Sequence, residues 1–118
     1  MDFFFAEDNL QRAVPAETRV VSLRAEPYAD RVRLRVNCEV TPFQTRPHIE
    51  VILRDADGAE VASTQLVEPL SWKLEFTMHL RSGADPAGDY SLEARLYYPD
   101  GPEAAPVRYD FTIPPANE

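Results

Sequence analysis

The feature that most limits what this chain can fold into is a strict period of two, repeated in one segment after another. In Arg31-Val32-Arg33-Leu34-Arg35-Val36-Asn37-Cys38-Glu39-Val40 every even position is apolar and every odd one is polar. Neighbouring side chains of an extended strand point to opposite faces, so the segment has one dry face and one wet face. Trp72-Lys73-Leu74-Glu75-Phe76-Thr77-Met78-His79-Leu80 repeats the pattern, as does Tyr90-Ser91-Leu92-Glu93-Ala94-Arg95-Leu96. Helical faces need a period of 3.6, so the alternation selects antiparallel sheets with one face on a core.

Turn signals recur about every ten residues from Thr18 onward, the spacing of a sandwich or barrel. They divide the chain into seven strands near 19–26, 31–40, 48–54, 59–67, 72–81, 89–98 and 107–113. Asp55-Ala56-Asp57-Gly58 is a tight turn, which makes the fourth strand an antiparallel neighbour of the third. The fourth strand alternates poorly, as an edge strand with loosely set register does. The expected sheets are strands one, two and five against strands four, three, six and seven. The expected core is Val32, Leu34, Val36, Cys38, Ile49, Val51, Leu53, Trp72, Leu74, Phe76, Met78, Leu92, Leu96, Tyr109, Phe111 and Ile113.

Seven strands of this kind resemble the immunoglobulin-like folds, in particular the fibronectin type III-like arrangement, over about residues 18–114. The most specific local match is Asp85-Pro86-Ala87-Gly88-Asp89-Tyr90-Ser91-Leu92. It is similar to the turn and tyrosine that open the sixth strand of many such domains. The resemblance implies that the Tyr90 hydroxyl bonds back to the corner backbone and that Leu92 takes the place of the second disulfide cysteine. Strand three lacks the tryptophan of antibody domains and strand two that of fibronectin domains, so no functional residue carries over. The expectation is an all-β, seven-stranded antiparallel immunoglobulin-like sandwich over 17–118, preceded by a short N-terminal arm over 1–16.

At 118 residues the chain has the length of one domain, long enough to bury about two-thirds of its unfolded surface without metal or disulfide. The net charge of -8 repels phosphate backbones and anionic lipid, so neither nucleic acid nor membrane is an expected partner. Cys38 is the only cysteine and the N-terminus is acidic, which together point to the cytoplasm.

The residue types that carry chemistry do not converge in the sequence. His48 and His79 lie on different segments, and one cysteine cannot complete a zinc cluster. Asp55, Asp57 and Glu60 flank a glycine turn but lack the remaining ligands of a calcium loop; turn aspartates ordinarily serve the backbone. No serine lies in a Gly-x-Ser-x-Gly elbow, and Cys38 alternates inward. No catalytic residue, cofactor or metal is expected. Arg31, Arg33 and Arg35 form a basic stripe, expected to pair across strands with carboxylates such as Glu75.

Two surfaces are candidates for binding. On the outer face of the larger sheet, Ile52 and Tyr97 are expected to form one patch, which the Phe3-Phe4-Phe5 arm could cover in its own subunit or a second. Phe3, Ala6, Leu10 and Ala13 recur at helical spacing before Pro15. The other surface is one end of the sandwich, where Phe43, Gln44 and Arg46 follow strand two, Leu70 follows strand four and Asp100 follows strand six. Phe43 either presents itself there beside Arg46 or folds back to plug the core. The expected function is a non-catalytic protein-interaction or assembly module, binding a protein partner or a second copy of itself as a homodimer. The alternative is a carbohydrate- or small-ligand-binding module, which requires two or three coplanar exposed rings.

Overall fold

A computed structural model describes residues 11–80 and 85–116. The period-two segments are strands: β1 (Val20–Pro27), β2 (Arg33–Val40), β3 (His48–Asp55), β4 (Glu60–Val67), β5 (Lys73–His79), β6 (Gly88–Tyr97) and β7 (Val107–Ile113). They form two antiparallel sheets, β1-β2-β5 and β4-β3-β6-β7. This is the expected partition, and β4 is an edge strand.

The strand bounds follow from backbone chemistry. β2 starts two residues later than its alternation suggests because Arg31 takes a left-handed conformation, φ 66, to close the turn from β1. Tyr28 and Arg31 make the turn hydrogen bond, and the Arg31 guanidinium donates to the Pro114 carbonyl at 2.9 Å. Val32 therefore belongs to that turn and is only half-buried, outside the core where the alternation put it. At the β3–β4 hairpin Gly58 supplies φ 85, which other residues rarely adopt. Three residues on, Val61 has no partner between the pairs Leu53↔Ala62 and Arg54↔Glu60. That bulge is why β4 alternates poorly.

The inner faces carry Leu34, Val36, Cys38, Ile49, Val51, Leu53, Met78, Leu92, Leu96 and Ile113, all buried. Burial of each large side chain stabilises by about 1.5–3 kcal/mol before chain entropy is subtracted. Trp72, Leu74, Phe76, Tyr109 and Phe111 are only partly covered, because they lie near free sheet edges. Val20, Leu23, Ala25, Val40, Phe43, Leu80, Ala94 and Tyr98 complete the buried set. No helix among the described residues is long and apolar enough to cross a membrane.

Alternate connections gather at opposite ends. The β1–β2 and β3–β4 turns and the approach to β6 form one end, called here the turn end. The segment before β1 and the connections β2–β3, β4–β5 and β6–β7 form the other, the loop end.

Candidate functional site: the loop end of the sandwich

The loop end is assembled around an aromatic plug. Phe43, in the β2–β3 loop, is 5% exposed and meets Trp72 edge-on with ring centroids 6.3 Å apart. Of the two positions open to it, Phe43 takes the inward one. It is held there by the segment before β1, which pairs with the loop as an isolated parallel bridge, Ala13↔Phe43. The Ala13 N–H donates to the Pro42 carbonyl at 2.7 Å, and the Gln44 N–H donates to the Ala13 carbonyl at 2.9 Å. Ala13 is thus extended rather than helical, and Pro15–Glu17 form one 3-10 turn. The Arg12 guanidinium lies 5.2 Å over the Trp72 ring. Tyr98, also buried, donates its hydroxyl to the Thr45 carbonyl at 2.7 Å and ties the end of β6 to the same loop.

Exposed apolar side chains stand on several elements of this end, among the polar Gln44, Thr45, Arg46 and Glu68. The exposed large hydrophobics among the described residues are Val14 at 41%, Val21 at 52%, Val67 at 61% and Leu70 at 85%. All four belong to the loop end. Val14 adjoins the Ala13 bridge, Val21 stands in the β1 bulge beside the Val20↔Val40 pair, Val67 closes β4, and Leu70 follows it. The backbone is shaped to produce this. Glu68 sits at φ 49, with its N–H donating to the Pro47 carbonyl at 3.0 Å. A left-handed non-glycine residue costs on the order of 1–2 kcal/mol. Arg46 is exposed on the same end. The Val20-Val21 doublet is the sequence signal for part of this patch: two adjacent valines cannot both face inward from one strand.

The sheet-face patch does not form. Tyr97 pairs with His48, whereas Ile52 pairs with Glu93, and the Glu50↔Arg95 pair stands between them. That pair is an ion pair at 3.0 Å, and Arg95 also reaches Glu103 at 3.1 Å. Glu50 first and Glu103 second raise the Arg95 pKa. Tyr97 is already engaged: the Arg95 guanidinium lies 4.4 Å from its ring centroid, Gln65 donates to its hydroxyl at 2.7 Å, and the His48 ring is 5.5 Å away. Ile52 is half-buried between charged neighbours, one of them Glu93, which pairs with Arg54 at 2.8 Å. Phe3, Phe4 and Phe5 lie outside the described residues.

Of the basic stripe, Arg35 pairs across strands as expected, whereas Arg31 and Arg33 pair with carboxylates of the connections. Arg31 meets Asp85 at 3.3 Å, Arg33 meets Asp30 at 2.7 Å and Arg35 meets Glu75 at 3.4 Å. The alternation gave no sign that Tyr28 would fold back from the turn, with the Arg33 and Arg35 guanidinium carbons 4.5 and 5.5 Å from its ring centroid. Hydrogen bonds with Thr77 first and Arg35 second lower the Tyr28 pKa. Cys38 is 1% exposed, and burial raises its thiol pKa to about 11. No group of three His, Cys, Asp or Glu side chains is placed to hold a metal among the described residues.

Three rings do lie in a row, but they are turned to one another. Tyr90 and Phe111 stack at 5.7 Å, and Phe111 and Tyr109 at 6.0 Å, with interplanar angles of 18° and 20°. All three are half-buried on the inner face, so their faces serve the core edge and form no open platform.

What the geometry defines is a two-sheet antiparallel β-sandwich domain. No family model matches the chain, and no curated protein matches it. Among solved structures it is similar to the β-glucuronidase of Parabacteroides merdae, with a TM-score of 0.61 and 17% identity, over 81% of this chain. This chain spans only 14% of that one. At that identity the likeness shows the fold alone.

Proposed function

We propose that this domain is a non-catalytic, cytoplasmic interaction module that binds a protein partner through its loop end. One observation carries the reading: Val14, Val21, Val67 and Leu70, the exposed large hydrophobics among the described residues, all gather there. Exposed apolar groups concentrated at one end of a domain favour protein contacts there, and interfaces ordinarily add polar groups of the kind Arg46, Gln44 and Glu68 supply. Arginine and aromatic residues are the usual energetic anchors, and Arg12 over Trp72 is such a pair at the margin of the patch. The β-glucuronidase likeness supports the sandwich and adds nothing about substrate. The buried thiol of the single cysteine supports a reducing compartment.

The test compares the wild type with Leu70→Ser and Val67→Ser on the purified chain. A partner captured by the wild type is identified, purified and titrated against each. Because both residues are exposed, stability should change by less than about 0.5 kcal/mol. Affinity should fall about tenfold or more, as for loss of an anchor. A purified partner that binds Leu70→Ser and Val67→Ser as tightly as the wild type would place binding elsewhere on the domain.

A further inference from the structure

Each sheet of an open sandwich ends in free strands whose unpaired N–H and C=O groups can accept another chain, and proteins guard such edges with charge, proline or bulges. Four strands are edges here: β1 and β5 in the smaller sheet, β4 and β7 in the larger. Three are guarded. β1 carries Arg24, Glu26 and Pro27 and is irregular between Val20 and Ser22. β5 carries Lys73, Glu75 and His79. β7 carries Arg108 and Asp110 and is bracketed by Pro106 and Pro114.

β4 is different. From Val61 to Val67 it has no charge, no proline and no glycine, in a chain of which 27% is charged. Its bulge is confined to the Val61 end, so Ala62 to Val67 pair regularly with β3 and leave the other edge straight. Space lies along that edge. A groove of about 430 Å³ is lined by Glu60, Val61, Ala62 and Ser63, and another of about 300 Å³ separates Ala62, Ser63 and Thr64 from Thr77–Leu80 of the opposite sheet.

We infer that β4 is a self-pairing edge, joining two copies of this chain antiparallel about a two-fold axis at Thr64 into one continuous eight-stranded sheet. Charge decides the occupant. An antiparallel strand that meets its own copy opposes residues placed symmetrically about the axis, so a charge on the axis meets itself and any other charge in the ladder meets its mirror position. Here Ala62 faces Leu66 of the second copy, Ser63 faces Gln65 and Thr64 faces Thr64, and Val67 comes beside the bulged Val61 end. Every one of these pairs is neutral, and Thr–Thr pairs are favourable across strands. Glu60 and Glu68 meet only at the two rims, so added salt should tighten the pair. The inference rests on the reading of the domain as an interaction module and names one partner for it, along the β4 edge, which shares only Val67 with the loop end.

Sedimentation equilibrium of the full chain over a concentration series, with hydrogen exchange at low and high concentration, tests it. Ser63 and Gln65 are exposed, and the one side-chain hydrogen bond lost, from Gln65 to Tyr97, is lost equally in both variants, so the comparison between them isolates the charge. S63K/Q65K opposes like charges twice and should raise the dimer dissociation constant about tenfold. S63K/Q65E opposes unlike charges twice and should leave it within a factor of about three. Exchange should slow with concentration at the amides of β4. A wild-type chain that stays monomeric overturns the inference, as does a dimer that S63K/Q65K leaves intact. Protection of the β4 edge that is independent of concentration also overturns it, in favour of a segment of the same chain. None of these results touches the loop-end reading at Leu70, which lies outside β4 and is the residue that separates the two.

Discussion

The two ends of the sandwich solve the same problem, turning the chain between strands, in opposite ways. At the turn end the β1–β2 and β3–β4 connections are short, and described backbone groups there are satisfied by nearby aspartates. Asp30 Oδ1 accepts from the N–H groups of Val32 and Arg33, Asp55 Oδ1 from those of Asp57 and Ala59, and Asp85 Oδ1 from that of Ala87. The Tyr90 hydroxyl donates to the Pro86 carbonyl at 2.6 Å, the bond that the resemblance to immunoglobulin-like domains implied. The aspartates therefore serve the backbone. At the loop end closure depends on the aromatic plug, and apolar side chains are left facing water. A self-contained end has little to offer a partner. The end that relies on packing also carries the surface that packing leaves unfinished.

That contrast can be broken first at the plug. Phe43→Ala should destabilise by about 3–5 kcal/mol in denaturant titration, because it empties a buried aromatic site beneath Trp72. A loss below about 1 kcal/mol would mean that the loop end is held by its backbone bridge alone.

The next effect comes from Cys38, which lies under the loop end on β2. Its thiol pKa is raised by burial to about 11 from 9.0. Below the unfolded value both states hold the proton and stability is fully present. As pH rises from 9 to 11 the unfolded chain loses its proton first, so stability falls. The loss attributable to this group is on the order of 2–3 kcal/mol. The difference in alkaline unfolding between wild type and Cys38→Ala measures it, and identical slopes would show that water reaches the thiol.

The smallest effect sharpens the other side of the contrast. Tyr90→Phe removes one hydrogen bond at the turn end while keeping the ring stacked on Phe111, and should cost about 0.5–1.5 kcal/mol. Its melting temperature should fall much less than that of Phe43→Ala. Equal losses would erase the distinction between an end closed by polar bonds and one closed by packing.

The sequence made the fold legible because burial on one sheet face writes a period of two, and because Pro, Gly and Asp mark the places where pairing must stop. Strand order followed from one short turn, Asp55–Gly58. The site was less legible for a physical reason: alternation says which face a residue takes, but not its distance along the sheet from a residue on the next strand. Ile52 and Tyr97 share a face, yet register places the Glu50↔Arg95 pair between them. Loop residues carry no periodicity at all. The inward course of Phe43 and the return of Tyr28 over the arginines are set by tertiary contacts that no local pattern encodes. Leu70 was legible as a loop residue, whereas the exposure of Val67 depends on the bulge at Val61, beyond which Ser63, Gln65 and Val67 share the outward face of β4.

The bridge at Ala13 and the pairing of Ile113 with Gly88 fix where the described chain enters and where it leaves. It comes in at one pole and departs from the other, separated by a strand's length of roughly 20–25 Å. Whatever is joined ahead of the bridge and whatever is joined beyond Pro114 are thereby kept apart by a stiff spacer. Tension applied between them would run lengthwise down the ribbons and shear their hydrogen bonds together, instead of peeling them open one by one.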